Sequence, residues 1–403
     1  MAAESAPGPW LRLTALAAAG ATLLAVVSGA AGVDTAHRLL AALALPPLAA
    51  LLAAAWFSYR RLLRPVLVAA GLFGVAALVT ARGAHLALAA LAFAAAVTVA
   101  ALVHRARPAA DSPGRLPLGN LRDYLTLTKP RIMTLLLLTG FCGMVAGAHG
   151  LPPWDVAVGA MVGLALACGG ASAINHVLDR DIDRLMGERT RSRPVAAERV
   201  PPTYALEFGL ALSAGSFALL ASTVNVLTAT LALVGNLFYV VVYTRWLKRS
   251  TPQNIVIGGA AGAVPPLVGW AAATGSLAWP ALALFLIVFL WTPPHFWALA
   301  LLIKRDYAAA RIPMLPVVRG DRETTRQIVL YSLVLVAFTT VPFALGWFGP
   351  VYLAAALGLG AVFVWMAVRL RREQTPRRAS SLFHYSLLYL ALLFVAAAVG
   401  SVV

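Results

Sequence analysis

Three oxygen-bearing side chains, those of Asn175, Asp179 and Asp183, recur every four residues where a long apolar stretch of this sequence ends. Residues of an α-helix are about 100° apart, so positions i, i+4 and i+8 drift by only about 80° and share one face. Two carboxylates and an amide supply the hard oxygen ligands that Mg²⁺ accepts, and phosphate oxygens complete its shell. The spacing predicts a Mg²⁺ site for a phosphate-bearing substrate. An ordinary mixture of charges beside a membrane is the alternative.

Basic residues accompany these acids in three polar segments. Arg191 and Arg193 follow the acids directly, and guanidinium groups suit phosphate oxygens. Lys248 lies in a second segment, and Lys304 lies with Asp306 in a third. A diphosphate bound through Mg²⁺, with its hydrocarbon tail among apolar helices, accounts for all three segments. The predicted diphosphate partners are Lys129, Arg131, Arg191, Arg193, Lys248 and Lys304.

The composition is that of a protein with many membrane spans. Of the 403 residues 61% are hydrophobic and 12% are charged, whereas soluble proteins carry about 25% charged residues. The net charge of +17 lies in short loops, where it sets topology, so nucleic acid is not an expected partner. Both cysteines, Cys142 and Cys168, lie in apolar stretches, which disfavours a disulfide framework or zinc site. We expect no cleavable signal peptide.

About thirteen spans of roughly 20 residues are predicted, giving an all-α polytopic membrane protein. A four-helix transmembrane bundle is expected in residues 1–108 and a cytoplasmic linker in 109–128. A nine-helix core is expected in 129–403. The predicted spans are about 10–31, 39–57, 65–81 and 85–103, then 132–150, 156–177, 203–222, 225–243, 254–272, 279–302, 327–345, 349–370 and 381–402.

Lysine and arginine separate cleanly between alternate loops of the core. They crowd the loops that carry the three polar segments and are absent near 146–156, 222–226, 273–279 and 346–350. Because positive loops stay in the cytoplasm, the polar segments and the N-terminus are expected there, and the C-terminus outside. The expected location is the cell (inner) membrane.

Several longer strings resemble the UbiA superfamily of intramembrane prenyltransferases. They include NHVLDRDIDRLMGERTRSRP, and the resemblance covers about 120–403. The strings TPQNIVIGG, TPPHFWALA and IPMLPVV are similar to those of its heme branch, the protoheme IX farnesyltransferases or heme O synthases.

This resemblance implies a reaction and roles for the residues. The farnesyl group of farnesyl diphosphate alkylates a vinyl group of heme B, water adds, and heme O results for terminal oxidases. Asp179 and Asp183, supported by Asn175, would hold Mg²⁺, the expected cofactor, and Asp306 would be catalytic. Many superfamily members carry a second D-x-x-x-D, but Asp306 is followed four residues on by Ala310, so the second metal-binding motif is only half present.

Three histidines are candidate heme contacts. His295 lies within a predicted span after Pro293 and Pro294, which should loosen the helix. It is expected either to face heme or to bond the carbonyls that these prolines free. His37 and His85 open parallel spans of the N-terminal bundle, which is faintly similar to one four-helix half of heme A synthase. That bundle is expected to bind heme, to dock a separate heme A synthase, or to be structural.

Two rival functions remain open at this point. The first is a related transferase that acts on a quinone precursor or another aromatic acceptor. The second is a transporter that relays ions through its carboxylates, although relay carboxylates tend to lie near the middle of the membrane. The acids here lie at the cytoplasmic end of a span beside arginines, which suits an anionic phosphate better.

Overall fold

The structure, a computed structural model, describes residues 13–22, 47–51, 66, 70 and 120–402. Its regular secondary structure in these ranges is helical, as predicted, and includes a short apolar helix at Leu13–Thr22. Most of the predicted N-terminal bundle, including His37 and His85, and most of the linker lie outside the described residues.

Within residues 120–402, nine helices are long and apolar enough to cross a membrane. They confirm the predicted nine-helix core. Their bounds are α1 Pro130–Ala148, α2 Trp154–Leu178, α3 Pro202–Thr223, α4 Val226–Ser250, α5 Asn254–Thr274, α6 Trp279–Leu302, α7 Gly320–Ala344, α8 Pro350–Glu373 and α9 Pro376–Gly400.

Two of these helices extend well beyond their predicted bounds. α4 continues to Ser250 because Phe238–Leu247 form a π-helix that joins the apolar half to the basic end. α7 begins at Gly320 rather than near 327, with Asp321 and Glu323 in its first turn. Carboxylates are stabilised there by the positive end of the helix dipole. Hydropathy does not register such a polar turn.

The prolines of α6 do not interrupt it. The helix runs from Trp279 to Leu302 with Pro293 and Pro294 inside it, and α5 likewise contains Pro265 and Pro266. The expected loosening therefore produces no break. Buried membrane helices tolerate proline because neighbouring helices and side chains can satisfy the freed backbone groups.

The helices form a closed bundle in which α9 returns to pack against α1. At the end away from the acidic residues, His149 Nδ1 lies 3.1 Å from the Ser401 carbonyl oxygen, joining the two helix ends. α1 and α5 approach most closely at glycines. A Cβ on Gly269 would overlap the Gly140 carbonyl oxygen, and one on Gly143 would lie 2.6 Å from the Pro266 oxygen. Small residues allow this approach in membranes.

Five short helices gather at the opposite end of the bundle, where the polar segments lie. Hydrogen bonds and close contacts between these segments, described below, hold them together over the ends of α2, α4 and α6. Their bounds are Leu121–Leu127, Arg180–Leu185, Glu188–Arg191, Lys304–Ala309 and Leu315–Val318.

Candidate active site

Asn175, Asp179 and Asp183 form one buried face at the end of α2, which we call the acidic face. The amide of Asp179 donates to the Asn175 carbonyl at 2.9 Å, and that of Asp183 to the Asp179 carbonyl at 2.8 Å. The helical path thus continues past the end of α2 and keeps the three side chains aligned. They are 2%, 0% and 1% exposed, so this is no solvated charge mixture.

Three cations surround the acidic face, each from a different segment. Lys248 Nζ lies 2.5 Å from Asp179 Oδ2, and Arg193 Nη1 donates to Asp183 Oδ1 at 2.7 Å. Lys129 Nζ donates to Asn175 Oδ1 at 2.8 Å. The structure therefore brings together Lys129, Arg193 and Lys248 of the predicted diphosphate partners.

One oxygen of each acidic-face carboxylate remains without a partner. Asp179 Oδ1 and Asp183 Oδ2 are buried and receive no hydrogen bond. Burial, the largest effect, raises the pKa of the Asp183 carboxyl, while Arg193 opposes this. Leaving a buried charged oxygen unpaired is costly, so the two oxygens fit a site that a cation completes.

The donor set suits Mg²⁺ rather than a metal held by protein ligands alone. Among the described residues, no three His, Cys, Asp or Glu side chains form a metal-binding group. Two carboxylates and an amide leave most of an octahedral shell to water and substrate. Mg²⁺ is commonly bound in this way, through one or two carboxylates and substrate phosphates.

Lys129 is held in an unusual position for a lysine. It precedes α1 with φ 52°, in the left-handed region. Burial, and secondarily the Arg193 charge, lower the pKa of its ammonium to about 7. An arriving anion would favour the charged form again, since nearby opposite charge raises a lysine pKa. Lys129 in its charged form can therefore serve as a contact for an anion.

Thr244 belongs to the site although no pattern in the sequence indicates it. It is fully buried on the π-helix, and its Oγ1 accepts a hydrogen bond of 3.0 Å from Asn175 Nδ2. The same amide nitrogen donates to Asp179 Oδ2 at 2.8 Å. These bonds orient the Asn175 oxygen towards Lys129. Sequence offered no signal, because a π-helix changes which residues of an apolar span face inward.

An apolar wall with aromatic residues stands beside the acidic face. Tyr239 and Tyr243 of the π-helix stack with ring centroids 5.5 Å apart. Tyr243 also packs with Tyr307 and Phe296 against a cluster of buried aliphatic side chains. Burial, the largest effect, raises the pKa of Tyr307 to about 12, so its hydroxyl remains protonated near neutral pH. The wall is apolar, as a surface that lines a hydrocarbon chain must be. Its buried members are Ile182, Met186, Ile255, Ala300, Ala310, Ile312 and Met314.

Four other predicted site residues lie in the polar segments around the acidic face, at what we call the rim of the site. Arg131 and Arg191 are exposed, and Lys304 Nζ forms an exposed ion pair with Asp321 at 2.7 Å. Asp306 is half-buried, and its carboxylate lies beside Gly187, where a Cβ would come within 2.7 Å of Oδ2. The second half-motif therefore packs onto the chain directly following the acidic face. Among the described residues, no hydrogen bond or ion pair joins any of these four to the acidic face.

His295 lies apart from these residues. It is buried on α6, on the side that faces α9. Its ring is between Trp291 and Phe383, with centroids 4.3 and 4.8 Å away. Ser386 Oγ donates to the Phe383 carbonyl at 2.6 Å, so it accepts from His295 Nδ1, also at 2.6 Å. The hydrogen-bond partner is thus a side chain of α9, not a carbonyl freed by the prolines. This tautomer leaves Nε2 with its lone pair.

A family model now decides the family. The model described as the UbiA prenyltransferase family matches residues 136–396, a stretch that includes the acidic face and Asp306. The chain belongs to this family.

Curated relatives agree with this assignment. A protoheme IX farnesyltransferase of Symbiobacterium thermophilum is 55% identical over 290 residues, covering 71% of this chain and 97% of the relative. One of Gloeobacter violaceus is 53% identical over 284 residues, covering 70% and 92%. One of Roseiflexus castenholzii is 49% identical over 344 residues, covering 81% and 64%.

Solved structures show the same UbiA fold. A digeranylgeranylglyceryl phosphate synthase superposes with a TM-score of 0.59 and 19% identity, covering 70% of this chain and 98% of that one. A UbiA homologue from Archaeoglobus fulgidus, bound to GPP and Mg²⁺, gives 0.50 and 18%, covering 68% and 99%. At these identities the likeness shows the fold alone.

Proposed function

We propose that this UbiA-family protein is a heme O synthase that transfers the farnesyl group of farnesyl diphosphate to a vinyl group of heme B. The observation that carries the proposal is the buried acidic face, with two unpaired carboxylate oxygens, surrounded by Lys129, Arg193 and Lys248. The relatives of 53–55% identity named protoheme IX farnesyltransferase support this acceptor.

Binding of the donor follows from the charges of the site. Lys129, Arg193 and Lys248 would turn from the acidic face to the diphosphate, while the freed oxygens of Asp179 and Asp183 hold Mg²⁺ with Asn175. The bound Mg²⁺ would act as a Lewis acid that neutralises charge on the departing diphosphate. Arg131, Arg191 and Lys304 at the rim would guide the anion inward, since clustered charge raises its local concentration. We assign Asp306 a supporting role at the diphosphate.

The chemistry then needs an apolar environment for the donor. The C1–O bond breaks with its electron pair leaving on the diphosphate, and C1 gains allyl-cation character. The vinyl group attacks C1, forming the new carbon–carbon bond and a cation beside the porphyrin. Water adds there and loses a proton, giving the hydroxyethylfarnesyl group. The wall of Tyr239, Tyr243 and Tyr307 would exclude water from the first cation and stabilise it through the aromatic faces.

His295 is the residue we propose to face heme. Its Nδ1 is committed to Ser386, which leaves Nε2 as the nitrogen that would bind the iron or accept from a propionic acid group. A buried neutral imidazole oriented by a hydrogen bond is the usual form of a heme ligand.

The membrane arrangement is also a proposal. The chain is an integral membrane protein, and its loop charges support an active site on the cytoplasmic side of the cell membrane with a cytoplasmic N-terminus. We propose three regions. They are a bundle in 1–108 that binds heme, docks heme A synthase or is structural, a linker in 109–128, and the catalytic core in 129–403. His37 and His85 are the proposed heme contacts of the bundle.

The test is direct. Purified protein is incubated with heme B, farnesyl diphosphate and Mg²⁺, and the hemes are separated by chromatography with mass detection. A heme O product that EDTA abolishes would support donor, acceptor and metal together. Farnesyl transfer to an aromatic quinone precursor, with no heme product, would instead favour the rival acceptor.

A further inference from the structure

The guanidinium of Arg199 joins two segments that each deliver a cation to the acidic face. Its Nε donates to Asp123 Oδ1 at 2.9 Å, and its Nη2 donates to the Ser192 carbonyl at 3.0 Å. Asp123 lies on the short helix Leu121–Leu127, which leads into Lys129, and Ser192 directly precedes Arg193. In the described part of the chain, no hydrogen bond or ion pair joins the Arg199 side chain to the acidic face or to its three cations.

On one side of this contact, the chain from Ser192 to Val200 folds into a compact loop. The amide of Ala197 donates to the Arg193 carbonyl at 2.8 Å, and that of Arg199 to the Pro194 carbonyl at 2.9 Å. Glu198 adopts a left-handed φ of 58°, which is costly for a residue other than glycine, so other contacts must maintain the loop. The Arg199 bond to Ser192 closes it beside Arg193.

On the other side, Asp123 fixes the approach to Lys129. Its side chain is buried, accepts from Arg199, and completes a capping box with Asn120 at the start of the short helix. At the end of that helix, the Leu127 carbonyl accepts from Ser172 Oγ of α2 at 2.6 Å. The helix is therefore held at both ends, and Lys129 follows two residues later.

We propose that the Arg199–Asp123 pair is a clasp that sets the positions of Lys129 and Arg193, with Arg199 as a positioning residue for the prenyl diphosphate. The proposal rests on the proposed function. A planar guanidinium suits this role, because it donates in two fixed directions to two segments, which a lysine ammonium does less well. Without Arg199, the buried Asp123 carboxylate loses its cation and both segments lose a common anchor.

A merely structural ion pair would behave differently from a clasp. Its loss would lower the amount of folded protein or affect all kinetic constants alike. Loss of a clasp would weaken the grip on the diphosphate alone, because heme is expected to contact other helices. The decisive readout is therefore KM for farnesyl diphosphate against kcat and against KM for heme B.

The experiment uses the full-length protein in detergent with Arg199→Gln, Asp123→Asn and the double variant. Each single change should raise KM for farnesyl diphosphate about tenfold to a hundredfold, because displaced cations would bind the diphosphate more weakly in the ground state and the transition state alike. We expect kcat and KM for heme B to stay within about twofold. The double variant should resemble the singles, because both remove the same contact.

Glu198→Gln is the matched control. Glu198 is the neighbour of Arg199 on the same loop and forms an exposed ion pair with Arg184 at 2.7 Å. Exposed pairs contribute little, so its KM values should not change. If the Arg199→Gln protein does not accumulate, the kinetic constants of Asp123→Asn test the clasp instead. Asparagine keeps the shape of the aspartate side chain and removes only its charge.

An unchanged KM for farnesyl diphosphate, a loss confined to kcat, or singles whose effects multiply in the double variant would each overturn the clasp. Failure of the proposed function is distinguishable, because the wild-type protein would then make no farnesylated heme. In that event the clasp is tested by calorimetric titration with inorganic pyrophosphate in the presence of Mg²⁺. Arg199→Gln should weaken the binding of pyrophosphate, and Glu198→Gln should not.

Discussion

At the scale of single residues, the acidic face is already neutralised by the groups expected to bind substrate. Asp179 and Asp183 each place one oxygen on a cation and leave the other unpaired. Mg²⁺ and diphosphate should therefore bind through an exchange of partners. The anion takes the cations, and the metal takes the carboxylates.

This exchange predicts that the two ligands bind cooperatively. In titration calorimetry, inorganic pyrophosphate should raise the affinity for Mg²⁺ at least about tenfold, which corresponds to a coupling free energy of about 1.4 kcal/mol. The gain in affinity arises because pyrophosphate would draw the cations away from the carboxylates, and Mg²⁺ would then bind those carboxylates. Equal Mg²⁺ affinity with and without pyrophosphate would contradict the exchange.

The acidic face should be essential while a neighbouring acid is not. Asp179→Asn or Asp183→Asn should lower the rate of heme farnesylation at least about a hundredfold, because each removes a metal-binding charge. Asp181→Asn is the control. It changes an acid on the same short helix that instead pairs with Arg249 in an exposed salt bridge, and it should keep activity within about threefold. Full activity in both site variants would remove the acidic face from the mechanism.

The acidic face could be predicted from the sequence, whereas two other residues of the site could not. Helical spacing predicted the shared face of Asn175, Asp179 and Asp183, because periodicity depends only on local geometry. Thr244 and the clasp residue Arg199 could not be found in this way. Their roles depend on contacts with residues far along the chain, Asn175 and Asp123 respectively.

At the scale of helices, the contact between α1 and α5 depends on glycine. Gly269→Ala should sharply reduce the yield of folded protein, because its Cβ would overlap the Gly140 carbonyl oxygen, and overpacking costs about 1–3 kcal/mol or more. Gly262→Ala, on the same helix, meets no atom within 4 Å and should be tolerated. Size-exclusion chromatography in detergent and thermal unfolding measure both. Equal stability of the two variants would contradict the close approach.

The helices themselves were largely predictable. Apolar runs located all nine spans of the core, since membrane thickness fixes their length. The start of α7 and the end of α4 were misplaced, because the former is a polar turn and the latter a π-helix with a basic end. Hydropathy also did not indicate that α6 would pass through Pro293 and Pro294 without a break.

At the scale of the whole molecule, the polar segments lie together at one end of the bundle, as the loop charges predicted. The predicted sidedness is testable with cysteines. After the native Cys142 and Cys168 are replaced by alanine, Ser250→Cys should react with an impermeant maleimide only in inverted vesicles. Ser276→Cys should react only in right-side-out vesicles. Both serines are exposed, one at each end of the bundle, so the reverse pattern would invert the topology.

The π-helix of α4 has a consequence for how related sequences are read. It carries one more residue in each hydrogen-bonded turn than an α-helix does. A chain shorter by one residue between Leu237 and Lys248 would still make a good membrane span, but Thr244 and Lys248 would rotate away from Asn175 and Asp179. A single-residue gap in an alignment at this point, which hydropathy would ignore, would therefore mark a relative that keeps the fold and has lost the chemistry.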